Sequence, residues 1–155
     1  MSPAETVQDL YRRLDVGDQV GARALLAPEF LHSSIAHPEP LDADAWLAAL
    51  SHFDTAFSEV SHGVVIDEEQ GALVHGRFHV SGRHTATLAF PGEPLLPATG
   101  KRFQLPAEPF VAEVRDGRVL RIEVTMANEK GGYKAVLAQL RGEAEPAPAP
   151  SELAR

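Results

Sequence analysis

Apolar residues recur at helical spacing near the start of the chain, between Ala4 and Leu14, which predicts an amphipathic helix. The residues on its apolar face are Val7, Leu10, Tyr11 and Leu14. Ser2 followed by Pro3 is typical of a helix start. After a turn at Gly17-Asp18, a second short helix is predicted from about Val20 to Leu26, ending before Pro28.

The next segment predicts a short strand, Glu29 to Ser34, and an irregular loop from His37 to Pro40. Asp42 is in position to cap a third helix. Its inner face carries apolar residues at helical spacing, namely Trp46, Leu47, Leu50 and Phe53.

After Phe57 the pattern changes to that of strands. One is predicted from Val60 to Ile66, followed by a turn from Asp67 to Gly71. A long strand is then predicted from Ala72 to about Ala89, with Gly76 and Gly82 as candidate bulges.

A loop spans Pro91 to Gly100, and two strands, about Arg102 to Arg115 and Arg118 to Ala127, pair across Asp116-Gly117. A last helix is expected from Tyr133 to Leu140. Helices first and a mostly antiparallel sheet second predict an α+β domain. We expect residues 1–141 to form this domain and the Pro/Ala/Glu-rich residues 142–155 to be a disordered tail.

The composition changes this picture only by exclusion. The chain of 155 residues has no run of apolar residues long enough to cross a membrane, so a membrane protein is not expected. A formal charge of −8 argues against a nucleic-acid partner, which needs a basic surface. The absence of cysteine excludes thiolate chemistry and agrees with a cytoplasmic location.

A series of motifs occurs in order between Ala72 and Ile122. Arg77 on a strand is followed by Gly-x-His ending at His84, then by Thr-Gly-Lys ending at Lys101. The Asp-Gly hairpin and an Ile-Glu pair at residues 122–123 complete the series. This order resembles the SnoaL-like polyketide cyclases of the NTF2-like superfamily, and the resemblance extends over about residues 5 to 140.

The resemblance implies an NTF2-like (cystatin-like) cone, in which N-terminal helices pack on a strongly bent sheet around a ligand pocket. It also implies a homodimer formed through the outer sheet face and a hydrophobic small-molecule ligand. The implied chemistry is acid/base cyclisation or isomerisation of a carbonyl-bearing ring compound, without metal or organic cofactor. Because one fold hosts many activities, a non-catalytic binding or dimerisation module remains an alternative, as does an epoxide hydrolase or dehydratase.

The chain departs from the family pattern after the last strand. Cyclase-like members have a Trp two residues after the acidic residue and an Asp four residues later, and that Asp is the general acid/base. Here Thr125 and Glu129 follow Glu123 at those spacings.

The candidate catalytic residues are therefore Glu129 as the base, with His84 and His32 as further polar groups. Two of them have a structural alternative: an exposed strand end for Glu129, and a hydrogen-bonded core histidine for His84. The candidate substrate-binding residues are Asn128, Arg77, Trp46, Phe30, Phe53, Phe103 and Phe110. Most of the aromatic residues are expected to be simply core, and the leading alternative for Arg77 is a salt bridge to a sheet neighbour.

Seven histidines raise the question of a metal. His75 and His79 share one strand face, but their Cα atoms would lie about 13 Å apart, too far to bind one metal ion together. No metal site is therefore expected.

Overall fold

The computed structural model of the protein describes residues 1–34, 37–125 and 132–150, within which the chain forms four helices and nine strands. The helices are α1 (Pro3–Asp15), α2 (Gln19–Ala24), α3 (Ala43–Asp54) and α4 (Gly132–Leu140). The strands are β1 (Leu26–Ser34), β2 (His37–Asp42), β3 (Phe57–Ser61), β4 (Val65–Gln70), β5 (Leu73–Phe78), β6 (Ser81–His84), β7 (Arg102–Gln104), β8 (Glu108–Arg115) and β9 (Arg118–Val124).

The strands form two sheets that together make a curved wall. Six strands lie in the order β2-β1-β9-β8-β5-β4, and three lie in the order β3-β6-β7. The pairing of β1 with β9 is parallel, and the other strand pairs of the described residues are antiparallel. The predicted α+β class is confirmed.

The helix predictions agree closely with the structure. Helix α1 begins after Ser2, whose hydroxyl accepts the Glu5 N–H at 3.1 Å, and its four predicted apolar residues are buried. Asp42 caps α3 by accepting the Ala45 N–H at 2.8 Å. The hairpin turn also forms as predicted, with positive φ values of 52° at Asp116 and 74° at Gly117.

The two long predicted strands are wrong, because both runs change sheets part of the way along. The run from Ala72 divides after Phe78 into β5 and β6, which belong to different sheets. The run from Arg102 divides after Gln104 into β7 and β8 in the same way. At the first division the His79 N–H donates to the His62 carbonyl at 2.7 Å, so the chain exchanges one backbone partner for another.

Gly76 and Gly82 do not mark these divisions. Gly76 is paired across the sheet with Phe110, and Gly82 with Phe103. A Cβ atom at either glycine would lie 2.8–2.9 Å from the ring of its partner. Each glycine therefore makes room for a buried aromatic ring instead of bending a strand.

Several boundaries also differ from the prediction. Helix α2 ends at Ala24 and β1 begins at Leu26, with Pro28 in the irregular part of its pairing with β9. Residues 37–40 lie in β2, whose place at the sheet edge tolerates proline. The strand predicted from Val60 to Ile66 is two strands, β3 and β4. Strand β4 continues to Gln70, so the turn is confined to residues 71–72.

The core consists of two clusters of buried side chains. The first lies between the six-stranded sheet, α1 and α3, and includes Leu10, Trp46, Phe110 and Ile122. The second lies between the three-stranded sheet and α4, and includes Phe57, Phe103 and Leu137. The two sheets therefore enclose two interior regions. The first interior region is the one occupied by the first cluster, and the second interior region is the one occupied by the second cluster.

The segment after α4 contacts the three-stranded sheet. The Ala147 N–H donates to the Gln104 carbonyl at 2.9 Å, and the same carbonyl accepts the side-chain amide of Gln139. The division of the chain at residue 141 remains a prediction.

We expect Gly76→Ala to lower the free energy of unfolding by about 1–3 kcal/mol, because overpacking forces neighbours to shift. The new Cβ would lie 2.5 Å from the Val65 carbonyl oxygen as well as against the Phe110 ring. Chemical denaturation measures the change. Glu69→Ala, at an exposed position of β4, is the control and is expected to stay within about 0.5 kcal/mol of wild type. Equal stability of Gly76→Ala and wild type would contradict the close packing.

Candidate functional site

Aromatic side chains line the interior beneath the six-stranded sheet. Trp46 contacts the ring of Phe30 at 5.1 Å, and the His32 ring stacks on Trp46 at 5.2 Å with an interplanar angle of 16°. Phe110 stacks on Phe78 at 4.2 Å. The structure thus brings together four of the residues predicted for the site, His32, Trp46, Phe30 and Phe110.

Tyr11 extends this lining toward a histidine that the sequence analysis did not select. Its ring, 3% exposed, lies 6.1 Å from Trp46, 4.8 Å from Phe78 and 4.9 Å from His62. Burial raises the pKa of the Tyr11 hydroxyl far above its ordinary value, with a smaller contribution from the charge of Asp15. Tyr11 is therefore a neutral phenol at any pH at which the protein would be assayed.

His62 and Asp15 form the closest polar pair of this interior. The Nδ1 atom of His62 lies 2.6 Å from Oδ1 of Asp15, and the His62 backbone N–H donates to Oδ2 of the same carboxylate at 3.2 Å. A carboxylate only accepts hydrogen bonds, so the contact places a proton on Nδ1. When the ring is neutral, Nε2 then carries a lone pair and can accept a proton.

Two further carboxyl groups lie close enough to His62 for its charge to affect them. Burial raises the pKa of Asp54, an effect that protonated His62 opposes and Asp15 reinforces. Burial also raises the pKa of Glu108, and the Gly132 N–H, 3.4 Å from its Oε1, together with His62 offsets part of the rise. Both groups therefore hold a proton to a higher pH than an exposed carboxyl does.

A surface cavity of about 390 Å³ adjoins the Asp15–His62 pair. Its lining consists of Gln8, Tyr11, Arg12, Asp15, Val16, Ser61, Gly63 and Val64. Gly63, with φ 55°, is essential to this geometry, because a Cβ atom there would lie 2.5 Å from the His79 carbonyl oxygen. Asp15 therefore reaches solvent through the cavity, and the two chain neighbours of His62 lie in its wall.

The other predicted site residues lie elsewhere. Phe53, Phe103 and His84 belong to the second interior region, around α4. Arg77 is partly exposed and forms two hydrogen bonds of 3.0 Å with Asp67, as its salt-bridge alternative required.

The predicted base Glu129 and its neighbour Asn128 lie outside the described residues. The described chain resumes at Gly132, whose N–H contacts Glu108.

His84 is fully buried and has a fixed orientation. Its Nδ1 accepts the Thr99 N–H at 3.1 Å and lies 3.0 Å from the Thr99 hydroxyl. Desolvation lowers the pKa of His84, and the backbone of Ala86 offsets part of that shift. A neutral ring with its proton on Nε2 follows from these contacts.

Within residues 1–34, 37–125 and 132–150, no group of three or more His, Asp or Glu side chains is arranged to hold a metal ion. No helix of the same ranges is long and apolar enough to cross a membrane.

Solved structures of similar shape share this architecture. IdmH from Streptomyces antibioticus, a proposed polyketide cyclase, is 26% identical, with a TM-score of 0.64 over 79% of this chain and 90% of its own. A proposed SnoaL-like polyketide cyclase from Jannaschia is 18% identical, with a TM-score of 0.62 over 93% of both chains. AclR from Streptomyces galilaeus, a proposed hydroxylase, is 17% identical, with a TM-score of 0.69 over 90% of this chain and 96% of its own.

No protein-family model and no curated protein sequence matches the chain. The structural likeness nevertheless defines the class: the chain is an α+β protein with the NTF2-like cone. Within that class it has the fold of the SnoaL-like polyketide cyclases, and the resemblance seen in the sequence motifs is confirmed.

We expect Glu108→Gln to stabilise the protein at pH 8 relative to wild type and to lose that advantage toward pH 4. The native pKa of Glu108 is raised, so the folded protein binds the proton more tightly than the unfolded chain. Wild-type stability then falls as pH rises from the ordinary glutamate pKa through the raised native value. Glutamine carries no charge at any pH, and its carbonyl oxygen can still accept the Gly132 N–H.

Urea denaturation at several pH values between 4 and 8 measures this difference. Glu69→Gln, on exposed β4, is the matched control and should show no pH-dependent advantage. A Glu108→Gln protein less stable than wild type at pH 8 would show that the carboxylate is stabilised as the anion.

Proposed function

We propose that this protein is a small-molecule enzyme that performs acid/base chemistry, without a cofactor, on a hydrophobic carbonyl-bearing ring compound. Cyclisation or isomerisation is the proposed reaction. The observation that carries the proposal is the Asp15–His62 pair, set beside two partly buried carboxyl groups at the edge of an aromatic interior. The similarity to proposed polyketide cyclases supports the same class of substrate.

In this proposal Nε2 of His62 removes a proton from the carbon next to a substrate carbonyl. Asp15 holds the opposite edge of the ring, fixes its tautomer and stabilises the imidazolium that forms. The electron pair of the broken C–H bond moves onto the carbonyl oxygen and forms an enolate. Asp54 or Glu108, whose pKa burial raises, donates a hydrogen bond to that oxygen when its carboxyl is protonated.

The enolate then has two outcomes. In cyclisation its carbon attacks a second carbonyl of the same molecule, a C–C bond forms, and the new alkoxide takes the proton from His62. In isomerisation His62 returns the proton to a different carbon. The side chains of His32, Trp46, Phe30 and Phe110, here called the aromatic wall, would hold the reacting atoms together in either case. Holding them together supplies much of the rate.

The remaining site predictions belong to the same proposal. Glu129 would be an additional or alternative base, and Asn128 a hydrogen-bond donor. His32, Trp46, Phe30 and Phe110 would contact the substrate from the aromatic wall. His84, Phe53 and Phe103 would contribute from the second interior region, whereas the ion pair of Arg77 with Asp67 favours a structural role for Arg77.

A second candidate function is a non-catalytic binding or dimerisation module on the same fold. The observation that favours it is the sequence after β9, where Thr125 and Glu129 stand in place of the Trp and Asp of cyclase-like members. A homodimer formed through the outer sheet face and a cytoplasmic location are further proposals, supported by the resemblance and by the lack of cysteine.

The first experiment is a thermal-shift titration against hydrophobic cyclic ketones, aromatic polyketide-like esters and sterols. A ligand that binds the native state raises the melting temperature with concentration. Ketones that bind are then incubated with the protein in D₂O, and NMR follows deuterium incorporation next to the carbonyl. This exchange reports proton abstraction whatever the final product is.

We expect His62→Gln to lower the exchange rate by about 10²–10⁴-fold, the usual contribution of a general base. Asp15→Asn should lower it less, because His62 remains but its tautomer is no longer fixed. Glu129→Gln should also abolish turnover with ligand binding nearly intact if Glu129 is the base. His75→Gln, on the outer side of β5, is the matched control. Ligand binding without any exchange in wild type would favour the non-catalytic module.

A further inference from the structure

A cavity of about 680 Å³ lies between helix α4 and the chain that follows it. Its inner wall includes Ala135 and Ala138 of α4, and its outer wall is residues 144–148, here called the return segment. It is larger than the cavity of about 390 Å³ beside Asp15 and shares no lining residue with it. The two cavities are therefore separate sites.

Hydrogen bonds hold the return segment beside α4. The Glu143 N–H donates to the Ala138 carbonyl at 2.8 Å, and Gly142, with φ 76°, has the left-handed conformation of a Schellman helix ending. Further on, the Ala147 N–H donates to the Gln104 carbonyl at 2.9 Å. Because these contacts bind both ends of the segment, the outer wall of the cavity is part of the fold.

The walls are mostly apolar, and proline restricts the outer one. Alanines line the cavity from both sides, and Pro146 and Pro148 line it from the return segment. Proline fixes φ, so this wall loses little conformational freedom when a ligand binds. A cavity of this size with mostly apolar walls is typical of the small-molecule sites of proteins.

A buried polar side chain, Gln139, also lines the cavity and is 7% exposed. Its Oε1 accepts the Gln104 N–H and its Nε2 donates to the Gln104 carbonyl, both at 2.9 Å. A primary amide has two N–H donors, and the second N–H of Gln139 has no acceptor among the described residues. Gln139 therefore offers one hydrogen-bond donor to a ligand in the cavity.

Two charged side chains of opposite sign complete the lining. Lys134 comes from α4 and Glu145 from the return segment, and both are exposed. Neither forms an ion pair with another of the described residues. A charged ligand attracted to one of them is repelled by the other, and it also loses hydration between apolar walls. An uncharged ligand has neither disadvantage.

We propose that this cavity is a second binding site, which takes an uncharged aliphatic molecule with a carbonyl group. The alkyl chain packs between the alanines of α4 and the prolines of the return segment. The carbonyl oxygen accepts the free N–H of Gln139. The site is independent of the reaction proposed at His62, because the two cavities have no residue in common.

The test titrates the full chain at neutral pH with octanamide, octanoate and octylammonium, which share one alkyl chain and are neutral, anionic and cationic. NMR of ¹³C-labelled alanine methyl groups follows binding. Octanamide should move the methyl resonances of the four lining alanines, Ala135, Ala138, Ala144 and Ala147. It should also move the side-chain N–H resonances of Gln139. Ala22 and Ala112, in the first cluster, are the internal control. Octanamide should bind at least about fivefold more tightly than either charged probe.

Charge variants test the opposing effects of the two exposed side chains. Lys134→Gln should tighten octylammonium and weaken octanoate, each by about 1.5- to 5-fold, because only Glu145 then remains. Glu145→Gln should do the reverse. The affinity for octanamide should change by less than about twofold in both variants. Glu69→Gln, at an exposed position of β4, is the control and should change the affinity for none of the probes.

Two further variants fill the cavity from opposite walls. Ala138→Phe and Ala144→Phe should each weaken octanamide by more than about tenfold, because the new ring takes the volume that the alkyl chain needs. Ala144 is exposed, so its replacement leaves the buried clusters unchanged, and a thermal melt checks that the variant is folded.

Three results would overturn the proposal. One is that octanamide leaves the methyl resonances of the lining alanines unmoved. Another is that folded Ala144→Phe binds octanamide as tightly as wild type does. The third is that wild type binds octanoate or octylammonium more tightly than octanamide. None of them bears on proton abstraction at His62, which the deuterium exchange tests separately.

Discussion

The fold depends on the hydrogen bonds made where two long runs of chain pass from one sheet to the other. The His79 N–H donates to the His62 carbonyl at 2.7 Å, and the Leu105 N–H donates to the Val80 carbonyl at 2.8 Å. A sheet that simply ended here would leave buried backbone groups without partners, which is costly. Here each backbone group that leaves one sheet finds a new hydrogen-bond partner at a neighbouring position. The two sheets therefore join into one bent wall.

The same junction determines where the polar groups lie. His62 follows β3 and Glu108 begins β8, so the change of sheet brings both to the edge of the aromatic interior. Helix α1 ends there with Asp15, and α3 ends with Asp54. Asp15 thus contacts His62 directly, and Asp54 and Glu108 lie within range of its charge. Burial penalises the charged forms of Asp54 and Glu108 and so raises the pKa of both carboxyl groups.

The sequence predicted the helices well because their signals are local. The apolar spacing in α1, the Ser2 and Asp42 caps and the Asp116-Gly117 turn each depend on residues within a few positions of one another. The prediction failed where a run of strand residues divides, since β5 and β6 share one pattern and only the tertiary partners separate them.

For the site, the aromatic wall followed from the burial of large apolar residues. The Asp15–His62 pair did not, because its members are 47 positions apart. The one available signal was the four-residue spacing of Tyr11 and Asp15, which places both on one face of α1.

The parallel pairing of β1 with β9 has a consequence for how the chain folds. Residues 31–34 are paired with residues 121–124, about 90 positions later, so the middle of the six-stranded sheet joins the two ends of the domain. Contacts of such long sequence separation pay the entropy of closing a large loop before they gain any stabilisation. Until β9 has been made, β1 has an exposed edge next to β2 and no central partner. The six-stranded sheet can therefore be completed only late in synthesis. Until then, the partly synthesised chain is the form most exposed to pairing with the wrong strand.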